Sequence, residues 1–212
     1  MSNGYVQLEP SEMVEERPFT DPIESMQDLA ILQYMLEKLR RLVSQPDGIP
    51  VWPRPFISFA PEPGERYHRI TISRQSKLRE GSQLTVVGFC GHKRPGIDRT
   101  TVDALDEALI AQFPQHPFLL SYSTMQLEGG NSRNLVLFDK PQGLAHWLMS
   151  ETHAQAVEIS PGYYTCIRLH NAILPGGLMS GSELTLLRTK YYDYQGDKTW
   201  WAVRELSSRA EA

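Results

Sequence analysis

The chain has 212 residues, 41% of them hydrophobic and 22% charged, with a net charge of −4 at pH 7. These fractions are typical of a globular protein with a substantial apolar core, and the length suits one large domain. The acidic balance argues against nucleic-acid binding, because proteins of that class neutralise phosphates with clustered Lys and Arg.

The chain begins with a polar, acidic segment, residues 1–19, that we expect to form a flexible N-terminal arm. It has neither the basic region nor the apolar stretch of a secretory signal. No later run approaches the ~18 apolar residues of a membrane helix. Cys90 and Cys166 fall in predicted strands, and two cysteines do not make a disulfide framework. We therefore expect a cytoplasmic protein with no membrane partner.

A long amphipathic helix is predicted to follow this arm. Asp21 suits the N-cap, Pro22 the first helical position and Glu24 the capping-box position. Apolar residues then recur at the spacing of one buried helix face: Met26, Leu29, Leu32, Leu36, Leu39 and Val43. Pro46 and Gly48 are expected to end the helix.

Residues 49–66 are rich in proline and predict an irregular connector, with short candidate strands at 56–60 and 67–73.

The centre of the chain has the clearest pattern. Strands are predicted at 84–92, 118–128, 133–138 and 163–171, with one helix from Thr100 and another from Asp139 to Ser160. The order βαββαβ is that of ferredoxin-like folds. A C-terminal β-hairpin at 183–206 and a short tail at 207–212 follow. We thus expect a single α+β domain, residues 20–206, around a ferredoxin-like core at 84–171.

One face of this predicted sheet mixes apolar and polar side chains. Strand alternation suggests that it gathers five polar residues: His92, Tyr122, Gln126, Arg168 and His170. Apolar walls with a few hydrogen-bonding groups are typical of a ligand cavity. The alternative is that these side chains lie near strand ends and meet solvent.

The same region resembles a known family. The segments Asn134-Leu-Val-Leu-Phe138, Trp147-x-x-Ser150-x-x-His153 and Ser160-Pro161 are similar to the antibiotic-biosynthesis monooxygenase-like members of the dimeric α+β barrel superfamily. The resemblance covers roughly residues 84–171. It implies a homodimer in which two sheets pack face to face. The alternative is that the long N-terminal helix and the C-terminal hairpin, which depart from the small members of the family, cover the sheet within one chain. The resemblance also implies cofactor-free oxygenase or isomerase chemistry in secondary metabolism, or haem binding as in other members.

These features lead to a functional prediction. We expect a small-molecule enzyme that acts on an apolar or aromatic substrate by histidine-assisted proton abstraction, as a monooxygenase or isomerase. His153 or His170 would be the base, and Arg168 or Tyr122 would stabilise the developing oxyanion. The ligand-binding candidates are His92, Gln126, His146 and Trp147.

Other readings stay open. His146 and His153 are seven residues apart on one predicted helix, too far for one metal ion, so we expect no metal site. We expect no cofactor, although one axial histidine would suffice for haem. The alternative function is a non-catalytic protein that binds haem or another apolar ligand, or a structural dimerisation module.

Overall fold

The computed structural model describes residues 4–45, 55–62, 66–98 and 100–206. In this part of the chain nine strands form one mixed sheet. They are β1 (Val6–Leu8), β2 (Phe56–Glu62), β3 (Arg66–Ile72), β4 (Gln83–Lys93), β5 (Leu119–Gln126), β6 (Ser132–Phe138), β7 (Tyr164–Pro175), β8 (Thr185–Asp193) and β9 (Trp200–Glu205). The order across the sheet is β1-β9-β8-β7-β4-β6-β5-β3-β2. Neighbours are antiparallel, except that β1 runs parallel to β9.

Five α-helices accompany this sheet within the described residues. They are α1 (Pro22–Val43), α2 (Gln75–Glu80), α3 (Thr100–Ala111), α4 (Pro141–Leu148) and α5 (Glu151–Tyr163). No helix in those ranges is long and apolar enough to cross a membrane.

The α1 helix begins where the sequence predicts. The Asp21 side chain accepts a hydrogen bond from the Ile23 backbone N–H at 2.8 Å, and Pro22 is the first helical residue. This cap satisfies an N–H that has no partner within the helix. Four residues of the predicted apolar stripe are buried, Leu32, Leu36, Leu39 and Val43, whereas Leu29 is half-buried and Met26 at the start of the helix is exposed.

The two faces of the sheet are covered by different helices. The α1 helix packs on one face, where its stripe meets Ile70, Val86, Leu135 and Leu137. On the opposite face Leu109 of α3 and Trp147 of α4 pack with strand residues, among them Val87, Tyr122, Val136 and Phe138. The sheet is therefore the middle layer between two apolar cores.

Glycine allows α1 to approach the centre of the sheet. A β-carbon at Gly88 of β4 would collide with the Leu32 side chain of α1. A residue without a side chain is needed at this strand position for the helix to lie so close.

The predicted fold class is wrong, although the mixture of helices and strands is confirmed. We expected a four-stranded ferredoxin-like sheet that pairs with a second copy in a dimeric α+β barrel. Instead the central segment supplies β4, β5, β6 and β7, and five further strands extend the sheet on both sides. The face that a partner's sheet would cover is covered by α1 of the same chain.

Two local predictions also need correction. The expected flexible arm contributes β1, and Leu8 is buried there. The helix expected from Asp139 to Ser160 is two helices, because the chain leaves helical geometry at Ser150, whose side chain caps α5. The predicted end of α1 at 46–48 and part of the proline-rich connector lie outside the described residues.

Arg204 of β9 holds the N-terminal segment in place. Its buried guanidinium donates hydrogen bonds to the backbone carbonyls of Glu9, Glu12 and Thr20 and to the Tyr191 hydroxyl. One side chain thus supplies hydrogen-bond donors to four acceptors, of which the Thr20 carbonyl and the Tyr191 hydroxyl are buried.

Replacement of Arg204 by Met should lower the free energy of unfolding by roughly 2–4 kcal/mol, because buried acceptors lose their donor. Hydrogen exchange should accelerate first in residues 4–20. The control is Arg188→Met, which removes an exposed ion pair with Glu205 (2.8 Å) and should cost less than about 1 kcal/mol. Equal losses in the two variants would contradict an anchoring role for Arg204.

Candidate functional site

The polar residues that the sequence analysis assigned to one face lie on both faces of the sheet. His92, Arg168 and His170 lie beneath α1, in contact with one another or with Asp28 of that helix. Tyr122 lies on the opposite face, beneath α3 and α4. The predicted single mixed face is therefore wrong, and two separate polar groups take its place.

The group beneath α1 centres on the carboxylate of Asp28, which is 1% exposed. Arg133 of β6 donates to Oδ1 at 2.8 Å, and Arg168 of β7 donates to Oδ2 at 2.5 Å. His170 lies 3.1 Å from the same Oδ2. Glu24, one turn earlier in α1 and partly exposed, lies 3.2 Å from Arg168. The two buried cations are thus balanced by two carboxylates of one helix.

The protonation states in this group follow from its contacts. Burial by itself would raise the pKa of Asp28, but the hydrogen bonds from His170 and Arg168 and the charge of Arg133 hold that pKa well below its usual value. Burial lowers the pKa of His170, so the ring is neutral. Its Nε2–H donates to Asp28, and its Nδ1 then accepts from the Thr189 hydroxyl at 2.9 Å.

Asp28, Cys90 and His170 place atoms of metal-ligand type within 4.8 Å of one another. Three features oppose a metal ion there. Both oxygens of Asp28 already accept from guanidinium groups, the charges of two buried arginines repel a cation, and burial raises the pKa of the Cys90 thiol. The group instead fastens α1 to the sheet.

A cavity of about 370 Å³ lies on the opposite face, between the sheet and helices α3, α4 and α5. Its volume is within the range of small-molecule sites, roughly 300–1,000 Å³. Its floor includes Val87, Phe89 and Leu169, and its roof includes Leu105 and Leu109. Two exposed side chains, Leu148 and Val157, also line it and place its mouth between α4 and α5.

One wall of the cavity carries a chain of hydrogen bonds with a fixed direction. Asp106 of α3 is ion-paired with Arg69 and accepts from the Tyr122 hydroxyl at 3.0 Å. The hydroxyl has one hydrogen, so the Asn134 amide must donate to its oxygen, at 2.9 Å. This orientation leaves Oδ1 of Asn134 buried without a partner among the described residues.

The opposite wall carries one lysine and three tyrosines. Lys190 of β8 lines the cavity together with Tyr164, Tyr192 and Tyr194. No carboxylate among the described residues lies within ion-pair distance of Lys190, and Glu205 is paired with Arg188. Burial lowers the pKa of Lys190 and raises that of Tyr194 to about 12.

His153 is the histidine that lines the cavity in the described part of the chain. It belongs to α5, and its ring lies 5.8 Å from the ring of Trp147, which also lines the cavity. Burial, together with the nearby His116, lowers the pKa of His153. The ring is therefore neutral at pH 7 and has a nitrogen able to accept a proton.

The other predicted residues do not line the cavity. His146 is exposed on α4, and its Nδ1 lies 3.1 Å from Nδ1 of His116. His146 and His153 do not share one helix face, because they belong to different helices. Gln126 ends β5 outside the cavity, and Nε2 of His92 accepts from Arg168 at 3.4 Å. Of the eight predicted site residues, the cavity brings together Tyr122, Trp147 and His153.

The residues at the centre of the two polar groups were not predicted from the sequence. Asp28 lies one turn before Leu32 on the apolar stripe of α1, and an acid on a buried helix face was a readable signal. Lys190, Asn134 and Asp106 had no comparable signal, because their meeting depends on which strands and helices are neighbours.

The sequence matches no protein-family model and no curated protein. The resemblance to monooxygenase-like proteins therefore stays a prediction.

Replacement of Asp28 by Asn should lower the free energy of unfolding by roughly 3–5 kcal/mol at pH 7, because two buried guanidinium groups lose their counterion. The folded pKa of Asp28 is depressed, so its contribution is full above the unfolded value, about 3.9, and is lost as the pH falls below it. The difference between the variant and the unaltered protein should shrink as the pH falls below about 4.

Urea unfolding between pH 3 and 8 measures this difference. Glu24→Gln is the matched control, because Glu24 contacts Arg168 from the solvent side and should contribute no more than about 1 kcal/mol. A loss in the Asp28 variant that does not change with pH would contradict the assigned ion pairing.

Proposed function

We propose that this protein binds a small, largely apolar or aromatic molecule in the cavity between the sheet and helices α3, α4 and α5. The observation that carries the proposal is the composition of the cavity wall. Aliphatic and aromatic side chains make up most of the wall around about 370 Å³, and polar groups interrupt it, among them Asn134, His153 and Lys190. Such a wall favours desolvation of an apolar ligand and uses few polar contacts to orient it.

The polar group beneath α1 supports the proposal because its residues are excluded as ligand contacts. Arg168 and His170 are each 1% exposed and are held by Asp28 on the other side of the sheet. They cannot reach a ligand in this cavity. Ligand contact falls instead to Tyr122, Trp147 and His153 among the predicted residues.

Biphenyl should bind in this cavity and raise the melting temperature, because ligands that bind only the folded state stabilise it. Replacement of Leu169 on the cavity floor by Trp should fill the space and weaken binding at least about tenfold by calorimetry. Thr185→Trp is the control, since it adds the same side chain at an exposed position of β8 outside the cavity. Biphenyl affinity that is unchanged by Leu169→Trp would place binding elsewhere.

A second candidate function is proton abstraction from the bound molecule, with His153 as the base. It is favoured by a specific observation: His153 lines the cavity, and its lowered pKa leaves an unprotonated ring nitrogen at neutral pH. Tyr122 is a weaker candidate for the oxyanion than the sequence suggests, because its hydroxyl hydrogen is committed to Asp106.

Single replacements of His153 and His170 by Ala distinguish the two faces. His153→Ala should weaken biphenyl binding by roughly fivefold through lost contact area, while leaving stability nearly unchanged. His170→Ala should leave the affinity of the folded protein unchanged and lower the free energy of unfolding by roughly 2–4 kcal/mol, because Asp28 and Thr189 lose a buried partner. Reversed effects on affinity would contradict the assignment of the cavity as the site.

The predicted homodimer stays a prediction that light scattering can test. The two-sheet interface that motivated it is replaced by the packing of α1 on the sheet.

A further inference from the structure

Two of the polar residues that line the cavity, Asn134 and Lys190, lie in one row of the sheet. Asn134 of β6 is opposite Phe89 of β4, Phe89 is opposite Leu169 of β7, and Leu169 is opposite Lys190 of β8. Residues directly opposite in neighbouring strands point to the same face. Three strand spacings of about 4.8 Å therefore separate the two polar positions by roughly 14 Å, with two apolar side chains between them.

At the Asn134 end of this row, Oδ1 accepts no hydrogen bond from the part of the chain that the structure describes. Its amide hydrogen is committed to Tyr122, whose hydroxyl is committed to Asp106, so Oδ1 cannot be satisfied by a change of orientation. A buried acceptor without a partner costs free energy, and a ligand that brings an O–H or N–H group recovers it.

At the Lys190 end, no carboxylate of the described residues lies within ion-pair distance of the ammonium group, and the charge of Glu205 acts on it from farther away. The charged groups near it are Arg188 and Glu205, which pair with each other at 2.8 Å. Tyr192, two residues further along β8, lines the same cavity. A ligand carboxylate would supply the missing counterion in a partly desolvated place, where a charged hydrogen bond is stronger than a neutral one.

We infer that the ligand of this cavity is an elongated amphipathic carboxylate with a hydroxyl or N–H group at its far end. The carboxylate pairs with Lys190, the apolar body lies over Leu169 and Phe89, and the far group donates to Oδ1 of Asn134. This inference rests on the proposed function, since it names the class of molecule that the same cavity takes.

Four related probes test it on the unaltered protein. They are biphenyl, hydroxybiphenyl, biphenylcarboxylate and hydroxybiphenylcarboxylate, with the substituents at opposite para positions. The carboxylate should lower the dissociation constant roughly tenfold and the hydroxyl about fivefold, in calorimetric titrations at pH 7. Hydroxybiphenylcarboxylate should therefore bind most tightly.

Two variants test whether the carboxylate gains its affinity at Lys190 and the hydroxyl at Asn134. Lys190→Met should weaken the two carboxylates roughly tenfold and leave biphenyl and hydroxybiphenyl unchanged, whereas Lys190→Arg keeps the charge and most of the gain. Asn134→Leu should weaken the two hydroxyl probes about fivefold and leave biphenylcarboxylate unchanged. Circular dichroism checks that each variant is folded, and the comparison of the four probes on the unaltered protein does not depend on any variant.

The possible results distinguish the inferred ligand class from the proposal that the cavity binds a small apolar molecule. The ligand class is supported if each substituent increases affinity for the unaltered protein and each variant removes the gain from its own substituent. Equal binding of all four probes, or carboxylate binding that survives Lys190→Met, overturns the ligand class while the cavity remains a binding site. Failure of all four probes to bind overturns both.

Discussion

The buried carboxylate of Asp28 is the interaction on which the rest of the structure depends. A helix of twenty-two residues lies across the sheet, and the apolar stripe of that helix fixes its face but not its position along the strands. Arg133 and Arg168 fix that position, because each guanidinium must reach the same carboxylate from a different strand. Paired charges of this kind favour one arrangement over its alternatives, since any shift of the helix would leave two buried cations without a counterion.

This arrangement decides which face of the sheet is free to bind. With α1 closed over one face and Gly88 admitting Leu32 against the strand, the polar group around Asp28 on that side is buried and anchors the helix. On the other side the shorter helices α3, α4 and α5 leave a space that they do not fill. The protein thus separates a buried ion-paired group at Asp28 from a mostly apolar cavity, and the sheet lies between them.

Local signals predicted the elements better than their assembly. The start of α1 at Asp21 and Pro22 follows from capping chemistry, and the strands of the central segment follow from their apolar runs. Alternation showed that Arg168 and His170 share a face. It could not relate that face to the face of Tyr122, because that relation depends on strand order and register between distant segments. The size of the sheet was missed for the same reason: the pairing of β3 with β5 and of β7 with β8 has no signature in either strand alone.

The central claim is that small apolar molecules bind on the side of the sheet opposite α1. Methyl-resolved NMR during titration with biphenylcarboxylate tests it most directly. Strands β4 and β6 carry Val or Leu methyl groups in both cores, so the two faces of the sheet can be compared in one experiment. We expect shift changes at Val87, Leu109, Val136 and Leu169, and none at Leu36, Leu39 and Leu137 beneath α1. Changes centred on the residues beneath α1, or no saturable change at any methyl group, would contradict it.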